Sequence, residues 1–87
     1  MDVEETKKQL RQLAMSMPNP YVRNRWYPAK LPNGNPVEIC KKSENCIWLR
    51  KMTNFVLKSP TGEILFTWMD WQYFRGNLNT GKFVEVR

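Results

Sequence analysis

Near the start of the chain apolar residues recur at a helical period: Val3, Leu10, Leu13, Ala14 and Met17 share one side. Asp2 precedes this run and Glu5 follows three residues later, as in a capping box, so residues 3–17 are predicted to form an amphipathic helix. Pro18 and Pro20 stop it, because proline lacks the amide hydrogen that the next turn needs. Five of the six prolines lie between Pro18 and Pro36, which makes residues 18–36 an extended or turned basic segment.

Beyond that segment the period shortens to two. Leu31-Pro32-Asn33-Gly34-Asn35-Pro36 gathers turn formers between Arg25-Trp26-Tyr27 and Val37-Glu38-Ile39, as a hairpin connection would. A second turn at Lys42-Ser43-Glu44-Asn45 sets Cys40 opposite Cys46, Ile39 opposite Ile47 and Val37 opposite Leu49. One face of that hairpin is then apolar, and Glu38, Cys40, Cys46, Trp48 and Arg50 fall on the other. The clearest turn is Ser59-Pro60-Thr61-Gly62, with Pro and Gly where a type I turn followed by a bulge wants them. It pairs Leu57 with Leu65 and Val56 with Phe66. A hairpin apolar on both sides belongs in the centre of a sheet, with the N-terminal helix over one side.

Residues 68–75 fit either a continuing strand or a short helix ending at Gly76. Asn77 to Gly81 reads as a loop, and Lys82 to Val86 as a closing strand. Together these elements predict one small α+β domain spanning residues 1–87. One N-terminal amphipathic helix packs on a four- or five-stranded antiparallel sheet, residues 37–87 supplying the antiparallel hairpins.

Composition supports a folded chain. Of the 87 residues 41% are hydrophobic and 13% aromatic, too rich for disorder, and a chain of this size buries about 60% of its unfolded surface. No apolar run approaches the ~20 residues of a membrane span, and MDVEETKKQL lacks the basic-then-apolar layout of a signal peptide. The expected location is the cytoplasm. Two cysteines and the lack of an Asn-x-Ser/Thr acceptor agree with it.

Charge narrows the function. The net charge is +6, and both ends balance, so the surplus sits between Pro18 and Gly62, where only Glu38 and Glu44 oppose the cations. Arg23, Arg25, Lys30, Lys41, Lys42, Arg50 and Lys51 are candidate phosphate contacts, with Trp26, Tyr27 and Trp48 as candidate stacking groups. The expected partner is nucleic acid, DNA or RNA, bound with weak sequence preference. The bland reading packs Trp26 and Tyr27 into the first hairpin and leaves the lysines to solvate the surface. An acidic protein surface would answer the same charge.

The alternative is a protein-interaction module, a small inhibitor or adaptor of the kind phages and other mobile elements encode. It would dock through Trp71, Tyr73 and Arg75, since aromatic residues and Arg dominate interface hot spots.

Catalysis is not expected. The chain has no histidine, hence neither the commonest general base nor the usual partner of a Ser or Cys nucleophile. Two cysteines alone cannot build a structural zinc site. No metal or cofactor is expected. Cys40 and Cys46 read either as a redox clasp across their hairpin or as two reduced thiols, the second preferred in a reducing compartment. Asp70, amid Phe66, Trp68, Trp71, Tyr73 and Phe74, reads as a helix N-cap or a partner of Arg75 before it reads as a general acid. Gly81-Lys82 lacks the remainder of a P-loop and reads as a turn.

Overall fold

The computed structural model describes residues 2–87. Helix α1 (Val3–Met15) is followed by strands β1 (Tyr27–Lys30), β2 (Pro36–Lys41), β3 (Cys46–Lys58), β4 (Ile64–Asn77) and β5 (Phe83–Val86). The strands form one antiparallel sheet in the order β1-β2-β3-β4-β5. This is the expected α+β arrangement, with five strands. No helix among the described residues is long and apolar enough to cross a membrane.

The Asp2 carboxylate caps α1 by accepting from the Glu4 amide at 2.9 Å. Glu5, expected to complete a capping box, instead accepts from Gln9 one turn on. Leu10, Leu13 and Met17 carry the apolar stripe onto one face of the sheet, where Val37, Ile39, Ile47, Leu49 and Leu78 meet them. Each fully buried aliphatic side chain contributes about 1.5–3 kcal/mol. Val3 departs from the predicted stripe and stays exposed, while Thr6 is buried with its hydroxyl donating to the Asp2 carbonyl. The close fit of helix to sheet explains Gly76: a Cβ there would stand 2.5 Å from Leu10 Cδ2.

Three expectations shift. In the first hairpin β1 begins at Tyr27, so Arg25 and Trp26 precede the strand. The second hairpin pairs Cys40 with Trp48 and Ile39 with Leu49, two residues off the expected register. A slip of two preserves both faces because side chains alternate with period two, so the assignment of inward and outward residues holds while the partners change. Cys40 and Cys46 are therefore not opposite one another; Cys46 pairs with Asn77 on β4.

The third shift concerns the long hairpin. Gly62, with φ of 89°, makes the expected turn, and the bulge falls between Leu57 and Lys58. The pairs become Leu57 with Phe66 and Val56 with Thr67, one step from the expected register. Residues 68–75 are strand, which withdraws the N-cap reading of Asp70. Its carboxylate accepts the Trp71 amide at 2.7 Å, and it faces Thr53 across the ladder.

β3 and β4 are 13 and 14 residues long, about 43 Å at 3.3 Å per residue. They outrun their neighbours: β2 pairs with β3 no further than Arg50, and β5 pairs with β4 no further than Tyr73. The remainder is a two-stranded arm projecting from the sheet, which gives the molecule extents of 48 × 28 × 23 Å. The doubly apolar segment is thus central in strand order but lies outside the cover of α1. A 13-residue helix reaches only about 20 Å, and this one is seated at the Gly76 end of β4.

Candidate functional site

The face of the sheet turned away from α1 collects the outward residues of three strands. β2 supplies Glu38 and Cys40, β3 supplies Trp48 and Arg50, and β4 supplies Trp71, Tyr73 and Arg75. The register sets Glu38 beside Arg50, Arg50 beside Tyr73, and Trp48 beside Arg75. Trp26 joins from the segment before β1, its ring edge-on to Tyr73 at 5.9 Å.

Rings and cations alternate across this face. The Arg50 guanidinium lies 4.3 Å from the ring of Trp71 and 4.3 Å from that of Trp26. The Lys42 ammonium stands 6.0 Å from Trp26 and 4.3 Å from Trp48, and Arg75 lies 5.9 Å from Trp48 on β3. The result is a continuous row, Trp71, Arg50, Trp26, Lys42, Trp48, Arg75. Each contact is favourable because the negative face of the ring attracts the cation, by about 0.5–2 kcal/mol depending on desolvation.

The two halves of the row differ. Arg50 is held, its side chain only 21% exposed, with Nε donating to Glu38 Oε1 at 2.7 Å and Nη2 in ion-pair contact with the same oxygen. Burial works to lower its pKa, but Glu38 and the Tyr73 phenol outweigh it and keep the guanidinium above its ordinary value. Its charge is thus largely cancelled by Glu38. Lys42 and Arg75 are exposed, with no carboxylate in salt-bridge range among the described residues. They are the free cations of this face.

Cys40 lies on the same face by alternation yet is 0% exposed, so the rings above the sheet form a covering layer. Burial pushes its thiol pKa up, against the opposing pull of Lys42 and Arg50. Cys46 is half-buried, and both cysteines are free thiols; the redox clasp falls with the register that implied it.

The other sequence-named residues go elsewhere. Lys41 and Lys51 alternate onto the helix side, over the rings of Tyr21 and Phe74. Tyr27 packs against the core and its hydroxyl accepts the Val22 amide. Arg25 lies over Tyr27, Arg23 pairs with Glu44 at 3.1 Å, and Lys30 is exposed and opens, with Gln9 and Gln12 of α1, on a shallow cleft. So the fold unites four members of the basic and aromatic set, Trp26, Lys42, Trp48 and Arg50, with all three of the docking set, Trp71, Tyr73 and Arg75. Two readings that the sequence kept apart share one surface. The role of Glu38 as anchor for Arg50 was missed; its alternation onto the Arg50 face was the available signal.

An apolar cleft of about 360 Å³ opens between α1 and the β1-β2 turn, lined by Leu10, Leu13, Leu31, Leu49 and Phe83 together with uncharged polar groups. It carries no titratable side chain. Among the described residues no three His, Cys, Asp or Glu side chains cluster closely enough to hold a metal ion. Comparison of the chain with protein-family models, with curated proteins and with solved structures finds no match.

Proposed function

We propose that the open sheet face binds single-stranded nucleic acid. The observation that carries this is the alternation of rings and cations along one row, ending in Lys42, Trp48 and Arg75. Bases offer flat π-faces and phosphates offer charge at regular intervals, and a row of this kind answers both without reading sequence. Lys42 and Arg75 cover Trp48 but are long, exposed and unpaired by acid. In the bound state they turn to phosphates and free the indole for a base, a stack worth about 1–3 kcal/mol. Arg50 stays in place and, with Glu38, fixes Trp26 and Trp71.

The test is a titration of labelled single- and double-stranded oligonucleotides, DNA and RNA, at several salt concentrations. With two phosphates neutralised, the slope of log affinity against log salt for single strands is about −1.4. Lys42→Glu with Arg75→Glu abolishes binding, while Lys41→Glu, on the opposite face, has little effect. A slope near zero, or equal loss from Lys41→Glu, overturns the proposal. Binding that needs the cations but ignores Trp48→Ala leaves charge alone, as an acidic protein surface would.

A further inference from the structure

The arm beyond Met52 and Trp71 has no use in that reading, and its chemistry is unlike the rest of the molecule. Its large apolar side chains are between 41% and 63% exposed, apart from Phe55, which is half-buried. Alternation puts Phe55, Leu57, Phe66 and Trp68 on one face, where Trp68 stacks on Phe55 and on Phe66 at 5.6 Å each. The opposite face mixes Val56 and Met69 with Asn54 and Thr67. A two-stranded ribbon is marginal in water by itself, and a contiguous apolar surface of this size marks a contact.

We infer that the arm is a self-association element: two copies pack their arms together about a two-fold axis, aromatic face on aromatic face. Three observations select a second copy as the occupant. First, between Met52 and Trp71 the ionisable side chains are Lys58, Glu63 and Asp70, net −1, so with +6 overall the remainder carries +7. Two such bodies repel, and the arms are where they can meet with least repulsion. Second, Trp68 stacks on both Phe55 and Phe66 and Leu57 lies opposite Phe66, so the aromatic face is one contiguous apolar surface that fits a copy of itself across a two-fold axis. Third, the outer edges of β3 past Arg50 and of β4 past Tyr73 are unpaired among the described residues. No neighbouring strand therefore stands in the way of a second arm laid across the aromatic face, as an isologous contact requires.

Sedimentation equilibrium and light scattering from about 1 to 100 μM test this, a range that brackets a moderate interface. The full chain dimerises, and more tightly at high salt, because screening removes repulsion between the bodies and leaves apolar burial untouched. Leu57→Asp with Phe66→Asp weakens the dimer by roughly 100-fold or more, as loss of central hot spots does. Since two acids directly opposite one another could also disorder the ribbon, a second variant replaces residues 55–68 by Asn-Gly. This closes the paired positions Asn54 and Met69 with a two-residue turn and gives a folded monomer. A full chain that stays monomeric at 100 μM at both low and high salt overturns the inference, and the arm is then left to a different protein. A dimer that survives in the shortened variant overturns it too.

Discussion

The two ends of the β3-β4 hairpin obey the same alternation with opposite results. At the base, flanked by β2 and β5, Ile47 and Leu49 go under α1 while Trp48, Arg50, Tyr73 and Arg75 go to the open face. Polarity there is divided between the faces, and each has an occupant or a chemistry. In the arm Leu57, Phe66 and Trp68 make one face apolar while Val56 and Met69 share the other with Asn54 and Thr67, so apolar side chains stand on both faces and neither is covered. Backbone pairing continues unbroken through both regions apart from one bulge. What separates base from arm is thus the length of the neighbouring strands and the helix, not the local propensity of β3 or β4. Burial is set by what the rest of the chain can reach.

The sharpest way to break this comparison is to make the same kind of substitution at each end. Leu49→Ala at the base removes a buried side chain from the α1 interface and costs about 2–5 kcal/mol in urea unfolding of the monomer. Gly76→Ala, which drives a Cβ into Leu10, costs about 1–3 kcal/mol by overpacking. Leu65→Ala in the arm stays within about 0.5 kcal/mol under conditions where the chain is monomeric. If Leu65→Ala rivals Leu49→Ala there, the arm is part of the core and the division collapses.

Binding sharpens the division next. Trp48→Ala weakens single-strand binding by about 1–3 kcal/mol, whereas Trp68→Ala leaves it unchanged and weakens the dimer instead. Fluorescence anisotropy and sedimentation on the same two variants read this double dissociation. Equal effects on both measurements would merge the two surfaces into one. Smaller again is Glu38→Ala, which leaves Arg50 between its two rings without its carboxylate. The pair is partly exposed, so its loss costs about 1 kcal/mol or less after solvent screening, read as a shift of the urea midpoint.

The fold was legible in the sequence where one local signal decides it. Pro18, the turn of Ser59 to Gly62 and the stripe of Leu10 and Leu13 each act within a few residues. Registers were less legible, since a turn of Gly-poor residues such as Lys42 to Asn45 does not fix its own length. The face assignment of Trp48 and Arg50 nevertheless survived, because the slip was even. The projecting arm was not legible: its apolar residues read equally well as a buried central hairpin, and only the short reach of β2, β5 and α1 decides otherwise. The site was half legible. Trp48 and Arg50 could be grouped from neighbouring strands, but joining them to Trp71 and Arg75 needs the β3-β4 register across a long hairpin. Lys41 and Lys51 show the converse, one position away from site residues and therefore on the wrong face.

The smallest effect tests the layer of rings over the base. Cys40 is fully buried beneath that layer and its thiol pKa is raised, chiefly by burial. The folded state then keeps a proton that the unfolded chain releases as pH passes the ordinary thiol range near 8.5. Stability from this source is intact below that range and is lost as pH rises through the raised folded value, since there the unfolded state binds fewer protons. Lysines and tyrosines also titrate at alkaline pH, so the useful measurement is a difference: unfolding free energy against pH for the wild type and for Cys40→Ala, the variant having the shallower alkaline fall. In the arm-shortened monomer the same difference persists, because the layer belongs to the base. Thiol labelling gives the independent reading, with half-buried Cys46 modified quickly and Cys40 only as fast as the ring layer opens. Equal labelling rates, or parallel pH profiles, would mean that Trp26 and Trp48 do not seal the face and that the row of rings and cations is looser than its distances imply.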